Sequence, residues 1–187
     1  TIRRDINELD SKGQLLKVHG GAQAKLEHME KIDVDFSQRS TQNTKEKQAI
    51  ASLTKQLVMP GQSVYLDAGT NVQLVIPHLK NMSVKVYTHG VHHITELAMH
   101  KIDTHLIGGE MKWSTLATVG SLSIEEISQF HYDVAFIGTN ALDVDFGYST
   151  PDESEAAIKQ QIIKSSDQSY ILCDESNFDK KSKIRFA

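Results

Sequence analysis

The chain has 187 residues, 39% hydrophobic and 24% charged, which suits one ordinary globular domain with a full core. A single cysteine, Cys173, excludes an internal disulfide framework and fits a reducing compartment, and no apolar run approaches the ~18 residues of a membrane span. Twenty Lys and Arg stand against 24 Asp and Glu, a net charge of −4, so the chain is a poor free-standing phosphate-backbone binder, although backbone amides and one or two cations could still hold a small anion.

The N-terminal TIRRDINELD is charged and lacks the apolar centre of a signal peptide, so a cytoplasmic location is expected. It opens without Met and inside a helical pattern, with Ile2, Ile6 and Leu9 on one stripe and Gly13 as a stop. Leu15–Val18 is a short extended run ending in His19-Gly20-Gly21. The pattern alone favours a surface helix with a hairpin arm over the end of a recognition helix with its wing. Residues 22–43 are polar and aperiodic and read as a linker or strap. From Thr44 a helical spacing takes over, with Ala49, Ile50, Leu53 and Leu57, and stops at Met59-Pro60-Gly61. Five β-favouring runs follow, at 64–66, 84–87, 105–107, 134–137 and 170–172. Helical stretches at 71–79, 91–100, 121–130 and 151–165 alternate with them. Pro77 shortens or kinks the first. Thr150-Pro151-Asp152-Glu153 predicts the start of the last, with Thr150 as its N-cap and Ile158 and Ile162 on its apolar face. This alternation predicts an α/β fold with a doubly wound, mostly parallel sheet.

Ligands of such sheets bind outside the carboxyl ends of the strands. The five endings are Asp67-Ala68-Gly69-Thr70-Asn71, Thr88-His89-Gly90, Gly108-Gly109-Glu110, Gly138-Thr139-Asn140 and Cys173-Asp174-Glu175-Ser176-Asn177. Turn chemistry accounts for any one of them. Five of the same polar kind at one edge favour a polar ligand cavity. In the first, Gly69 permits close backbone approach, and Thr70 and Asn71 add donors at a helix start. The loop is neither a P-loop nor GxGxxG, so a nucleotide is not supported. The histidines His89, His92, His93, His100 and His105 lack metal-ligand spacing and read as core or surface residues. Cys173 reads as a buried thiol, and Asp143 and Asp145 as solvated or turn residues. No GxSxG supports a serine nucleophile. Lys47 gains meaning only if its helix packs beside the Asp67 loop.

These residues resemble the DeoR-type bacterial transcriptional regulators. The segment from Thr1 to Ala22 is similar to the close of that family's winged helix-turn-helix. The likeness continues in order through Lys47–Ala51, Asp67–Asn71, Thr88–Gly90, Leu106–Gly109 to Val119-Gly120, Phe136–Asn140, Glu155–Lys159 and Cys173–Ser176. It implies a winged-helix remnant over 1–21, a linker over 22–43 and an effector-binding sensor over 44–187, incomplete at its C-terminus, with the fold of ribose-5-phosphate isomerases. It further implies that a phosphorylated sugar is cradled by Gly69, Thr70 and Asn71, with Lys47 reaching the phosphate. Asp67, Thr88, His89, Gly90, Gly108, Gly109, Gly138, Asn140, Asp143, Lys159 and Asp174 would surround the sugar or fix the loops. Arg3, Arg4 and His19 would belong to the DNA-contacting part.

The resemblance calls for no cofactor and no metal. It implies a homo-oligomeric repressor of sugar metabolism whose operator affinity falls when the effector binds. Two departures stand out. Asn177 occupies the place of a Lys common near the phosphate, with Lys180, Lys181 or Lys183 as possible substitutes, and the stretch 146–151 lacks the lysine that the isomerases use in catalysis. Proton abstraction beside a carbonyl then lacks its electrostatic support, so binding without turnover is expected, with an isomerase or deaminase as the alternative.

Overall fold

The computed structural model describes residues 5–7, 15–18, 21–24 and 36–187. Two compact units divide between Ile32 and Asp33. In the first, residues 5–7 are helical, and β1 (Leu15–Val18) pairs antiparallel with β2 (Gly21–Ala24) in the register Val18↔Gly21. The expected hairpin is therefore formed, and its second strand takes the first residues of the segment read as linker. Arg3, Arg4 and His19 lie outside the described residues.

The second unit begins with α1 (Phe36–Thr41), inside the segment expected to be a strap, and α2 (Thr44–Thr54). Five parallel strands follow in the sheet order β11-β8-β3-β4-β5. They are β3 (Ser63–Leu66), β4 (Lys85–Thr88), β5 (Asp103–Leu106), β8 (Tyr132–Gly138) and β11 (Ser166–Leu172). Between them lie α3 (Thr70–Gln73), α4 (His93–Met99), α5 (Ser121–Ser128) and α6 (Glu153–Lys164). The alternation read in the sequence thus places both ends of each central strand correctly to within a few residues.

Both faces of the sheet are covered, because successive side chains point to opposite sides. Val64, Leu66, Val86, Val134 and Phe136 face Ala51, Val72, Ile76, Leu79 and Leu97. Tyr65, Tyr87, Ala135 and Ile137 face Ile107, Ile127, Ile158 and Ile162. The helix expected over 71–79 divides into α3 and a 3-10 turn at Ile76–Leu79, with Pro77 at its start. Proline fits a first turn and breaks an interior. The N-cap of α6 is Asp152, whose carboxylate accepts from the Glu155 N–H at 3.0 Å. Thr150 is instead the last residue of a strand, so that expectation is corrected. A carboxylate at this position satisfies an orphan donor and complements the helix dipole.

Short antiparallel elements were not legible in the sequence. β6 (Glu110–Lys112) and β7 (Ala117–Val119) form a hairpin, and β9 (Ala141–Asp143), β10 (Gly147–Thr150) and β12 (Ile184–Arg185) form a small sheet. Gly109 enters β6 at φ +142°, and a Cβ there would lie 2.0 Å from Ser123 Oγ and 2.7 Å from the Val119 carbonyl oxygen. Ser123 Oγ also donates to the Gly108 carbonyl. Gly109→Ala is therefore expected to lower the unfolding free energy by about 2–3 kcal/mol in urea titration, combining left-handed strain with overpacking.

Candidate functional site

The strand order reverses between β3 and β8, and the loops that follow these two strands touch there. This is the crevice in which open α/β sheets bind ligands. A Cβ on Gly69 would lie 3.3 Å from Gly138 Cα, and one on Gly138 would lie 3.3 Å from both Gly69 Cα and Asp67 Oδ2. The absence of side chains at both positions is what lets the loops close on each other.

Asp67 organises the crevice. Its Oδ2 accepts from the Gly138 N–H at 2.7 Å and from Lys159 Nζ at 2.5 Å, while Oδ1 lies 3.4 Å from His89 Nε2. Asp67, Lys159 and His89 are all buried. Burial by itself would raise the Asp67 carboxyl, but the Lys159 ammonium, His89 and the Gly138 amide together hold it below the usual carboxylate range. Burial pushes His89 down to about 4, with the pull of Asp67 opposing and Lys159 and His92 adding. A neutral imidazole follows at pH 7. Its Nδ1 meets Tyr65 Oη at 2.9 Å. With the phenol donating to Nδ1, the ring proton sits on Nε2 and faces Asp67. Burial also raises the Tyr65 hydroxyl well above its ordinary value, so the phenol stays protonated.

Beside this network lies the start of α3. Lys47 of α2 is buried, and its Nζ donates to the Arg39 carbonyl at 2.5 Å and to Thr70 Oγ1 at 3.1 Å. The condition set on Lys47 by the sequence is met. Burial lowers its pKa, while the charge of Asp174 raises it and Arg39 lowers it further. Val72 and Gln73 donate to the Gly69 carbonyl, so the Thr70 and Asn71 amides precede the first intrahelical bond. Asn71 Nδ2 donates to the Leu172 carbonyl, and its buried Oδ1 has no partner among the described residues.

Asp174 accepts from Asn43 Nδ2 at 2.8 Å and caps the turn Glu175–Asn177. It thereby ties the start of α2 to the end of β11. Burial would raise Asp174, but its bonds from Ser176 and Asn43 keep it low. Asn177, where a Lys was expected, donates through Nδ2 to the carbonyls of Thr139 and Asn140. It braces the loop after β8, a task an ammonium could not combine with accepting the Asp174 N–H. Lys180 donates to the Ser176 carbonyl, and Lys181 pairs with Asp143.

The other expected residues divide by what they touch. Thr88 Oγ1 donates to the Leu66 carbonyl, accepts from the Gly90 N–H and contacts His93 Nδ1, so it fixes the end of β4. Gly108 and Gly109 contact α5 through Glu126 and Ser123. Asp143 accepts from the Asp145 and Phe146 amides and closes the β9–β10 turn. The Asn140 backbone N–H donates to Ser149, leaving its half-buried carboxamide without a partner among the described residues. Cys173 is half-buried and burial raises its thiol, in keeping with an inert side chain.

Three participants had no signal in the sequence. Tyr65 sat in an ordinary apolar strand run. Asn43, at φ 51°, lay in the supposed linker. Lys112 lies on the unforeseen hairpin and pairs with Glu155 at 2.8 Å and Asp152 at 3.2 Å in the first turn of α6.

A doubly wound α/β sheet with a buried polar crevice at its switch point, preceded in the chain by an N-terminal hairpin unit, defines the class. The DeoR C terminal sensor domain family matches residues 42–187, and the DeoR-like helix-turn-helix domain family matches residues 1–27. The protein belongs to the DeoR family of transcriptional regulators. It is 38% identical over 188 residues to the uncharacterized HTH-type transcriptional regulator FruR of Bacillus subtilis, covering 100% of this chain and 74% of that one. It is 31% identical over 185 residues to the lactose phosphotransferase system repressor of Staphylococcus epidermidis, covering 96% and 72%. Its fold resembles that of ribose 5-phosphate isomerase A from Methanocaldococcus jannaschii, with a TM-score of 0.55, 16% identity and coverage of 74% and 56%. The chain thus joins the membership of a family of transcriptional regulators with a fold similar to that of an isomerase. Among the described residues, no helix is long and apolar enough to cross a membrane.

Removing one member of the Asp67–Lys159 pair strands the other charge in the core. Asp67→Asn and Lys159→Met are each expected to cost about 3–5 kcal/mol in urea unfolding, and the double variant to recover much of that loss. The histidine sets a pH dependence. An unfolded His89 takes up its proton near 6.5 and the folded one near 4, so stability is full above 6.5 and falls as pH drops through that window. Denaturant midpoints measured from about pH 7 to pH 4 should fall, and His89→Gln should remove roughly 3 kcal/mol of that pH dependence.

Proposed function

We propose that the second unit senses a phosphorylated sugar at the β3–β8 crevice, and that its binding lowers operator affinity. The observation that carries this reading is Lys47. It is a buried ammonium that reaches only a carbonyl and a hydroxyl, and it stands at the amides of Thr70 and Asn71. Both direct partners are neutral and the nearest charge noted, Asp174, acts on it without a hydrogen bond, so a phosphate beside Thr70 would supply the contact ion that this ammonium lacks. Gly69 gives the backbone room, and the free Asn71 Oδ1 and the Asn140 carboxamide offer sugar-hydroxyl partners. The remaining candidates act behind them. Asp67, Lys159 and His89 set the shape of the crevice, Gly138 closes it, and Asp174 holds α2 in place. Thr88, Gly90, Gly108, Gly109 and Asp143 shape the surrounding loops.

The DNA contacts belong to the N-terminal unit, with Arg3, Arg4 and His19 as candidates, and a homo-oligomer suits a two-fold operator. Effector binding needs only a different affinity for two conformations to change operator binding. The relatives named as repressors support this reading, as does the isomerase-like crevice.

Calorimetry with a panel of hexose and pentose phosphates tests it. One or more should bind, the unphosphorylated sugars should bind far more weakly, and Lys47→Ala or Thr70→Ala should weaken binding at least about tenfold. Absence of binding by every sugar phosphate overturns the sensing role, and parental affinity in both variants overturns the phosphate assignment.

A further inference from the structure

A second cleft opens at the opposite edge of the sheet. It lies at the amino ends of β3, β4 and β5 and has a volume of about 630 Å³. Strands of four residues span about 13 Å, so this cleft is separated from the crevice at the carboxyl edge by the length of the strands. Its size falls within the roughly 300–1,000 Å³ of small-molecule sites.

Lys80, Lys85 and Lys101 line this cleft together with His100, and Asp103 is the one acid in its lining. None of the three lysines forms an ion pair among the described residues. Lys85 Nζ stands 5.5 Å from the Tyr87 ring centroid, and Lys80 and Lys101 have no side-chain partner there at all. The floor is apolar, with Leu79, Val84 and Ile102. Every segment at the rim turns through a left-handed residue, namely Gly61 at φ 87°, Asn81 at 64°, Ser83 at 53° and Lys101 at 55°. Backbone bonds from Gly61 to Ser83 and from Lys85 to Gln62 tie the first two segments together. The cleft is therefore built before any ligand arrives.

Lys85 stands beside Asp103 in the β4–β5 register, so the excess charge rests on Lys80 and Lys101, which focus a positive potential into one concave, partly apolar surface. In a chain with net charge −4 that local excess runs against the average. We propose that this cleft is a second ligand site, which takes a small polyanion carrying at least two negative phosphate charges. An organic diphosphate matches both its volume and its charge, and inorganic pyrophosphate carries the charged part of such a ligand. Lys80 and Lys101 supply the principal contacts, and the apolar floor accepts the body of the ligand. The site is independent of the effector crevice.

The test is titration of the 187-residue chain with inorganic pyrophosphate, followed by calorimetry and by the amide resonances of Gly61, Asn81 and Ser83. Saturable binding is expected. Lys80→Ala with Lys101→Ala should weaken it at least about tenfold, while Lys47→Ala with Thr70→Ala should leave the shifts of Gly61, Asn81 and Ser83 unchanged. Those lysines are exposed, so their replacement leaves the core intact. The proposal is overturned if pyrophosphate produces no saturable shift at these amides, or if the Lys80/Lys101 variant binds like the parent. It is equally overturned if a short DNA duplex shifts these amides and pyrophosphate does not, which would make the patch a nucleic-acid surface.

Discussion

Asp67 and Lys159 meet at 2.5 Å with both side chains buried, and each would be costly there alone. Their pairing is made worthwhile by the additional bonds around them. Asp67 Oδ2 also takes the Gly138 amide, and Oδ1 faces a neutral His89 that is itself fixed by Tyr65. One carboxylate therefore links the ends of β3, β4 and β8 to the middle of α6. A charge in this position specifies geometry more than it adds stability, because the alternatives all leave a buried ion unpaired.

The same pair connects the crevice to more distant elements. Lys159 lies four residues after Glu155 on α6, so both project from neighbouring turns of one helix. Glu155 accepts from Lys112 on the β6–β7 hairpin and from Thr150 at the end of β10. The Asp67 loop and the hairpin are thus both tied to the same stretch of α6. On the other side, Lys47 and Asn43 connect the Thr70 and Asp174 loops to α2. These contacts hold the crevice, α2 and α6 as one packed set within the second unit.

Much of this was legible beforehand because it depends on local rules. Short apolar runs separated by helical spacing give parallel βαβ units whatever surrounds them. Strand-end loops rich in Gly, Thr, Asn and Asp could be placed at one edge by topology alone, so Asp67, His89, Gly138 and Asp174 were found together. Pro77 announced the broken helix at 71–79. The N-cap of α6 went wrong by two residues, since Thr150, Asp152 and Glu153 all offer capping chemistry and only the pairing of Thr150 with Ile184 excludes the first. The hairpin at 110–119 and the strands β9, β10 and β12 are two to four residues long, too short to show a period.

The sequence by itself determined the layer order, the two apolar faces of the sheet and the chemical character of the edge where ligands bind, because each follows from spacing along the chain. Tertiary structure alone decided which of those polar residues act together. Lys47 and Thr70 are 23 positions apart, and Asp67 and Lys159 are 92 apart. No periodicity encodes such meetings, for they follow from the strand order that sets β3 beside β8. The net charge of −4 likewise says nothing of the three lysines gathered at the opposite edge, since a sum over the chain carries no positions.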